Sequence, residues 1–182
     1  MLIMPGNSRE GFISVKSLAD ARRDWAGFDH VITIEDAGFG EGLRLPSGAK
    51  TTQTVLQFDD TDLTQGRGRA ATRDEVRLLL MKGREHTTSK LLVHCHQGQS
   101  RSAAVALGVI SDRLGKGRES EAVVALLAIR PTAVCNSLVL RHADDLLGRA
   151  GALVREWESH LAKDDRAAGV VLLRRLAETT LE

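Results

Sequence analysis

The sequence predicts a single α/β domain: a mostly parallel central sheet flanked by helices, with a helix-rich C-terminal half. Three observations carry that expectation. Short apolar runs alternate with helical patterns through the first half, as strands joined by helical crossovers do. The second half holds consecutive helical patterns with no strand-like run between them. The 182 residues correspond to about one domain at the usual ~150 residues per domain, enough to bury about two-thirds of the surface on folding. With 42% hydrophobic but only 3% aromatic residues, and no Tyr, the core must be built from Leu, Val, Ile and Ala. Residues 1–163 are expected to form the main domain, and 164–182 a C-terminal helix packed on it.

Each element has its own local reason. Phe12 to Val15 is a short strand. Ser17 to Trp25 follows as a helix with Leu18, Ala21 and Trp25 on one side, ending near Gly27, and the β-branched run Val31 to Ile34 completes a βαβ opening. From Asp36 to Lys50 the composition turns to Gly38, Gly40, Gly42, Pro46 and Gly48 without apolar period, which predicts a surface loop. Its glycines lack the spacing of a nucleotide-binding fingerprint. Thr54 to Phe58 is the next strand, and Asp59 to Arg69 is a polar loop.

Thr72-Arg73-Asp74-Glu75 fits a capping box, in which the Thr hydroxyl and Glu carboxylate satisfy free amides at a helix start. Val76, Leu79, Leu80 and Gly83 stripe that helix. Lys90 to His94 is a buried strand, and Ser102 to Leu114 an Ala-rich helix. Four more helices are expected: Glu119 to Ile129, stopped by Pro131; Ser137 to Leu147; Ala152 to Ala162; and Asp165 to Ala177. In the last, Val170, Val171, Leu172, Leu173 and Leu176 form an apolar stripe expected to cap the domain. Arg141-His142-Ala143-Asp144-Asp145 and Arg174-Arg175 read as solvated helix faces.

Composition excludes several functions. Lys and Arg number 25 against 24 Asp and Glu, a net +1, so no whole-molecule field draws nucleic acid or an anionic membrane. The few aromatics argue against a base-stacking platform. Two Cys make no disulfide framework. The longest apolar stretches, such as Ala122 to Ile129, fall far short of the ~20 residues of a membrane helix. Met1 to Arg9 meets Pro5, Gly6 and a charge too soon to serve as a signal peptide. A soluble protein of the cytoplasm is the expectation, without nucleic-acid or membrane partners.

The chemistry is concentrated in His94-Cys95-His96-Gln97-Gly98-Gln99-Ser100-Arg101-Ser102. A Cys ends a strand, a polar loop with a Gly follows, and an Arg comes as the next helix begins. A thiol titrates at about 8.5, and a helix N-terminus with a nearby cation lowers that to ~3.5–7.5, giving a thiolate nucleophile. A strand-to-helix loop can turn successive amides inward to form a nest for a tetrahedral dianion. Arg101 can grip two phosphate oxygens through its planar fork. The bland alternative for Cys95 is a small apolar residue finishing a buried strand. A bare Cys-x5-Arg is a common accident; the flanking His, mid-loop Gly, following Ser, strand and helix are what raise it above one.

His94-Cys95-x5-Arg101-Ser102 resembles the signature loop of the cysteine-dependent protein tyrosine phosphatase superfamily, on its dual-specificity side and especially its small bacterial members. The resemblance extends from the βαβ opening through Arg130-Pro131 and Cys135-Asn136-Ser137-Leu138 to about Leu153. It implies a phosphotyrosine protein phosphatase-like fold, Cys95 as nucleophile and Arg101 as phosphoryl ligand. Ser102 would bond the thiolate, His94 would brace the loop, and amides from His96, Gln97, Gly98, Gln99, Ser100 and Arg101 would line the pocket. It also implies a general acid on a loop after a strand roughly thirty to forty residues upstream. Asp60, 35 residues before the thiol, is the first choice, with Asp59 and Asp62 open.

Departures bear on substrate. Gln97 and Gln99 stand where inositol-phosphate and phosphoinositide members carry Lys, and with no Tyr the aromatic wall of tyrosine-selective members is missing. His96 is either a partly charged substitute or a solvated loop residue. The implied partner is a phosphorylated protein or small phosphoester, handled without metal or cofactor. Cys135 stands where relatives often carry Pro; it is either a buried structural residue or a second thiol able to pair with Cys95 on oxidation. The functional alternatives are a rhodanese-like sulfurtransferase and a non-catalytic phosphoresidue-binding module on the same fold.

Overall fold

Strands β1 (Ile13–Lys16), β2 (His30–Glu35), β3 (Thr52–Gln57) and β4 (Leu91–His94) form one sheet in the order β1-β4-β2-β3, every neighbouring pair parallel. The structure, a computed structural model, describes residues 12–38, 40–46, 48, 50–63, 68–165 and 168–172. Leu91, Leu92 and Val93 are fully buried, which is why the central β4 reads as a continuous apolar run. The edge strand β3 is mostly Thr and Gln, with Val55 and Leu56 its apolar residues, and is half-buried from Gln53 onward.

The two faces of the sheet carry two cores, divided by the alternation of side chains along each strand. Ile13, Val15, Ile32, Ile34, Leu91, Val93 and Cys95 face the larger. Against them pack α2 (Arg73–Glu85), α3 (Arg101–Leu114), α4 (Glu119–Ile129), α5 (Ser137–Leu146) and α6 (Ala152–Leu161). Val31 and Leu92 face the smaller core with Ala21, Phe28 and Leu45, under α1 (Leu18–Asp24). Helix α3 is buried from Arg101 through Ser111, as its all-round apolar sequence requires. A Cβ on Gly83 of α2 would come within 2.6 Å of Val109, so a missing side chain lets those two helices close.

Local signals explain the boundaries. Ser17 caps α1, accepting from the Asp20 amide at 3.1 Å, and Thr72 with Glu75 forms the expected capping box on α2. Helix α4 has the expected bounds. The expected C-terminal helix Asp165 to Ala177 is helical at 165 and 168–172, with Val170 and Val171 half-buried and Leu172 exposed; residues 173–182, with Arg174-Arg175, lie outside the described residues, as does Met1 to Arg9.

Two expectations need correction. The tract Asp36 to Lys50 is turn-rich, but it is not purely a surface loop: Leu43 and Leu45 are buried. Around them, Arg44 pairs with the fully buried Glu35 at 3.4 Å, and Gln57 donates to the same carboxylate at 3.0 Å. This crossover covers the smaller core where a helix would otherwise lie. The 141–145 run is only partly a solvated face: Arg141 and Asp145 are exposed, but Ala143 and Asp144 are buried. Asp144 is 1% exposed and accepts from the amides of Gly151, Leu153 and Val154 at 2.5, 2.8 and 3.3 Å. It thus satisfies free donors at the start of α6, where Gly151 provides no side chain to do so.

Candidate active site

Strand β4 ends at His94 beside β1 and β2, and the chain then turns through residues 95–100 into α3. The loop is held by its carbonyls. His96 O accepts from Leu18 N–H at 3.0 Å, Gln99 O from Val134 N–H at 2.8 Å, and Ser100 O from Ala104 and Asn136 N–H at 2.9 and 3.4 Å. Arg130 donates to Gln97 O at 2.8 Å. In a planar trans peptide the carbonyl of one residue and the amide of the next point in opposite directions. Carbonyls pinned outward at 96, 97, 99 and 100 therefore turn the amides of Gln97, Gly98, Ser100 and Arg101 inward, and the Gly98 amide does donate to Cys95 Sγ at 3.3 Å.

Gly98 is required for this turn. Its φ is +69°, and a Cβ there would lie 2.3 Å from the Lys16 carbonyl carbon and oxygen, because the loop rests on the β1–α1 junction. Cys95 is 2% exposed, and Ser102 Oγ is hydrogen-bonded to its sulfur at 3.3 Å. Ser100 precedes α3 without capping it; its hydroxyl goes elsewhere, to Asp60. His96 and Gln97 are exposed at the rim and Gln99 is half-buried.

Arg101 is 3% exposed. It donates from Nη1 to Phe58 O at 2.7 Å, and its Nη2 pairs with Asp36 at 2.8 Å. Its buried Nε–H has no partner among the described residues. An unmet buried donor costs roughly 1–3 kcal/mol, and an oxyanion seated in the loop would meet it.

The three candidate carboxylates separate by partner. Asp59 accepts from the Ala37 and Arg69 amides at 2.9 and 2.7 Å, tying the crossover to its own loop. Asp62 accepts from the Ser137 and Leu138 amides at 2.6 and 3.4 Å, at the start of α5. Asp60 alone of the three is bonded to the 95–101 loop, accepting from Ser100 Oγ at 2.5 Å and from Asn136 Nδ2 at 3.1 Å.

His94 lies under the loop with Nε2 at 2.8 Å from Thr33 Oγ1. Burial pushes its pKa down to about 4, so the ring is neutral near pH 7. With the Gln53 amide oriented to accept from Leu45 N–H and from Thr33 Oγ1, the single Thr33 proton is committed to Gln53. Asn136, Asp36, Thr33 and Arg130 join the site without being among the residues its sequence predicts. Only Asn136 carried a local signal, as a good cap at a helix start; the others reach the site through the tertiary fold. Cys135 is buried. Among the described residues no group of His, Cys, Asp or Glu is placed to hold a metal ion, and no helix is long and apolar enough to cross a membrane.

No protein-family model matches the chain, and no curated protein matches it. Its fold is that of the tyrosine and dual-specificity phosphatases. It is similar to the crystal structure of human tyrosine phosphatase-like serine/threonine/tyrosine-interacting protein, with TM-score 0.59 and 17% identity over 77% of this chain and 93% of that one. Human DUSP28 superposes with TM-score 0.58 and 15% identity over 82% and 100% of the two chains. For DUSP15 the values are 0.57, 19%, 84% and 94%.

Proposed function

We propose that this protein hydrolyses phosphomonoesters, with a phosphorylated protein or small phosphoester as substrate, through a cysteinyl-phosphate intermediate. The observation that carries the reading is the loop geometry: carbonyls held by donors outside the loop, the Gly98 amide on Cys95 Sγ, and a buried Arg101 with an unmet donor. Such an array stabilises the charge of a transferring phosphoryl group, and preorganised electrostatics of this kind is usually the largest catalytic contribution.

The Cys95 thiolate attacks phosphorus in line. A sulfur–phosphorus bond forms, the phosphorus–oxygen bond to the leaving group breaks, and Asp60 delivers its proton to the departing oxygen. Water then attacks phosphorus and gives a proton to Asp60, the sulfur–phosphorus bond breaks, and inorganic phosphate leaves. Ser102 bonds the sulfur as it departs, and His94 supports the loop from beneath. His96 and Gln97 lie at the rim, where substrate would pass. Neither a sulfurtransferase nor a phosphoresidue-binding module needs a carboxylate docked on the anion loop, so Asp60 on Ser100 favours hydrolysis. Thiol chemistry requires a reducing compartment, and a cytoplasmic location is part of the proposal.

The test is turnover of p-nitrophenyl phosphate by the purified protein without added metal. Hydrolysis that is lost in a folded Cys95→Ser variant is expected. A Cys95→Ser variant as active as the parent would overturn the reading.

A further inference from the structure

Asn136 is 1% exposed and uses all of its side-chain hydrogen-bonding groups across two elements. Its Oδ1 caps α5, accepting from Val139 N–H at 2.9 Å. Both amide hydrogens go to the acid loop, to Asp60 Oδ1 at 3.1 Å and to Thr61 O at 3.0 Å. The amide orientation is thereby determined, since rotating it by half a turn would set its oxygen against a carboxylate and a carbonyl. Its backbone amide meets Ser100 O at 3.4 Å, so the residue touches the anion loop as well. The neighbouring Asp62 is held by the same helix end, with Arg141 donating to Asp62 O at 3.3 Å.

Resting on the phosphatase reading, we infer that Asn136 is a positioning residue that docks the Asp60 carboxylate at the reaction centre. Capping alone does not call for Asn, because Ser and Asp cap as well; only Asn couples a cap to two N–H donors. Ser100 and Asn136 both donate to Asp60 Oδ1. Two donors from separate elements, Ser100 in the anion loop and Asn136 at the start of α5, thus hold the same carboxylate oxygen. Displacing a proton donor by about 1 Å is enough to cost up to about a hundredfold in rate.

The experiment compares phenyl phosphate, whose leaving group needs protonation, with p-nitrophenyl phosphate, whose leaving group needs it far less. Asn136→Ser keeps the cap and removes both donors. We expect kcat/KM for phenyl phosphate to fall about tenfold further than for p-nitrophenyl phosphate, within the range of general acid catalysis. In the Asp60→Ala background the same substitution should cost no more on one substrate than on the other. Equal losses on both substrates in the parent, or a selective loss that persists without Asp60, would overturn the inference. Asn136→Asp, a near-isostere that also caps, should show the same leaving-group dependence, and it decides the matter if thermal melting shows Asn136→Ser unfolded. A parent protein inactive on both substrates overturns the phosphatase reading itself; an active parent with equal losses overturns the role of Asn136 alone.

Discussion

Two loops leave the C-terminal ends of adjacent strands, and they are held in opposite ways. After β4, residues 95–100 are held by backbone: carbonyls at His96, Gln99 and Ser100 accept from the amides of Leu18, Val134 and Asn136. After β2, the crossover from Asp36 is held by side chains, with Leu43 and Leu45 buried, Arg44 on Glu35, and Asp59 on the Ala37 amide. In the proposed reading the first arrangement frees amides for an anion; the second covers a core. Loops at equivalent positions on one sheet thus differ in whether backbone or side chains hold them.

The largest test of that contrast is Gly98→Ala. Its φ of +69° and the 2.3 Å approach to Lys16 leave no room for a methyl group without moving the loop. Activity on an aryl phosphate should fall at least about a hundredfold, because amides displaced by about 1 Å no longer match the phosphoryl group. Activity close to the parent's would show that the amide ring is not what binds. Next, Asp60→Ala should lower kcat by ~10²–10⁴ and remove the basic limb of the pH–rate profile. If Asp59→Ala or Asp62→Ala does this instead, the acid is misassigned.

In the crossover the balance should reverse. Leu45→Ala removes a buried side chain and should cost about 2–5 kcal/mol in urea unfolding, while kcat/KM stays within a few-fold of the parent. A large activity loss at full stability would dissolve the distinction between the two loops.

The smallest expected effect is on pH. Burial lowers His94 to about 4, and burial with the stacked His86 lowers His30 to about 4. The unfolded chain, with an ordinary histidine pKa of about 6.5, takes up these protons first. The stability tied to the neutral rings is therefore complete above about pH 6.5 and is lost as pH falls toward 4. Urea midpoints should drop across that window, and His94→Gln should flatten part of the slope. A slope unchanged by His94→Gln would contradict the neutral, buried ring.

Much of the fold is legible in local sequence. The Thr72–Glu75 box starts α2, Pro131 stops the helix before it, and the unbroken Leu91 to Val93 run marks a central strand. Leu43 and Leu45 were not legible, because two apolar residues in a Gly-rich tract set no period. Asp144 was not either, since its partners on α6 arrive only through the tertiary fold. The same division runs through the candidate site. The 94–102 segment is contiguous in the chain, so its chemistry can be read directly. The resemblance favours Asp60 but leaves Asp59 and Asp62 open, and it is their distant partners, Ser100, Arg69 and the start of α5, that separate them.

The central claim, that the 95–101 loop seats a phosphoryl group for attack by Cys95, is tested most directly by trapping the intermediate. Parent protein and Asp60→Ala would be mixed with p-nitrophenyl phosphate, quenched in acid within the first turnover, and the peptide containing Cys95 weighed by mass spectrometry. The account predicts one phosphoryl group on Cys95, and none on this peptide from Cys95→Ser. Turnover with the phosphoryl group on another residue, or hydrolysis that continues without the thiol, would contradict it.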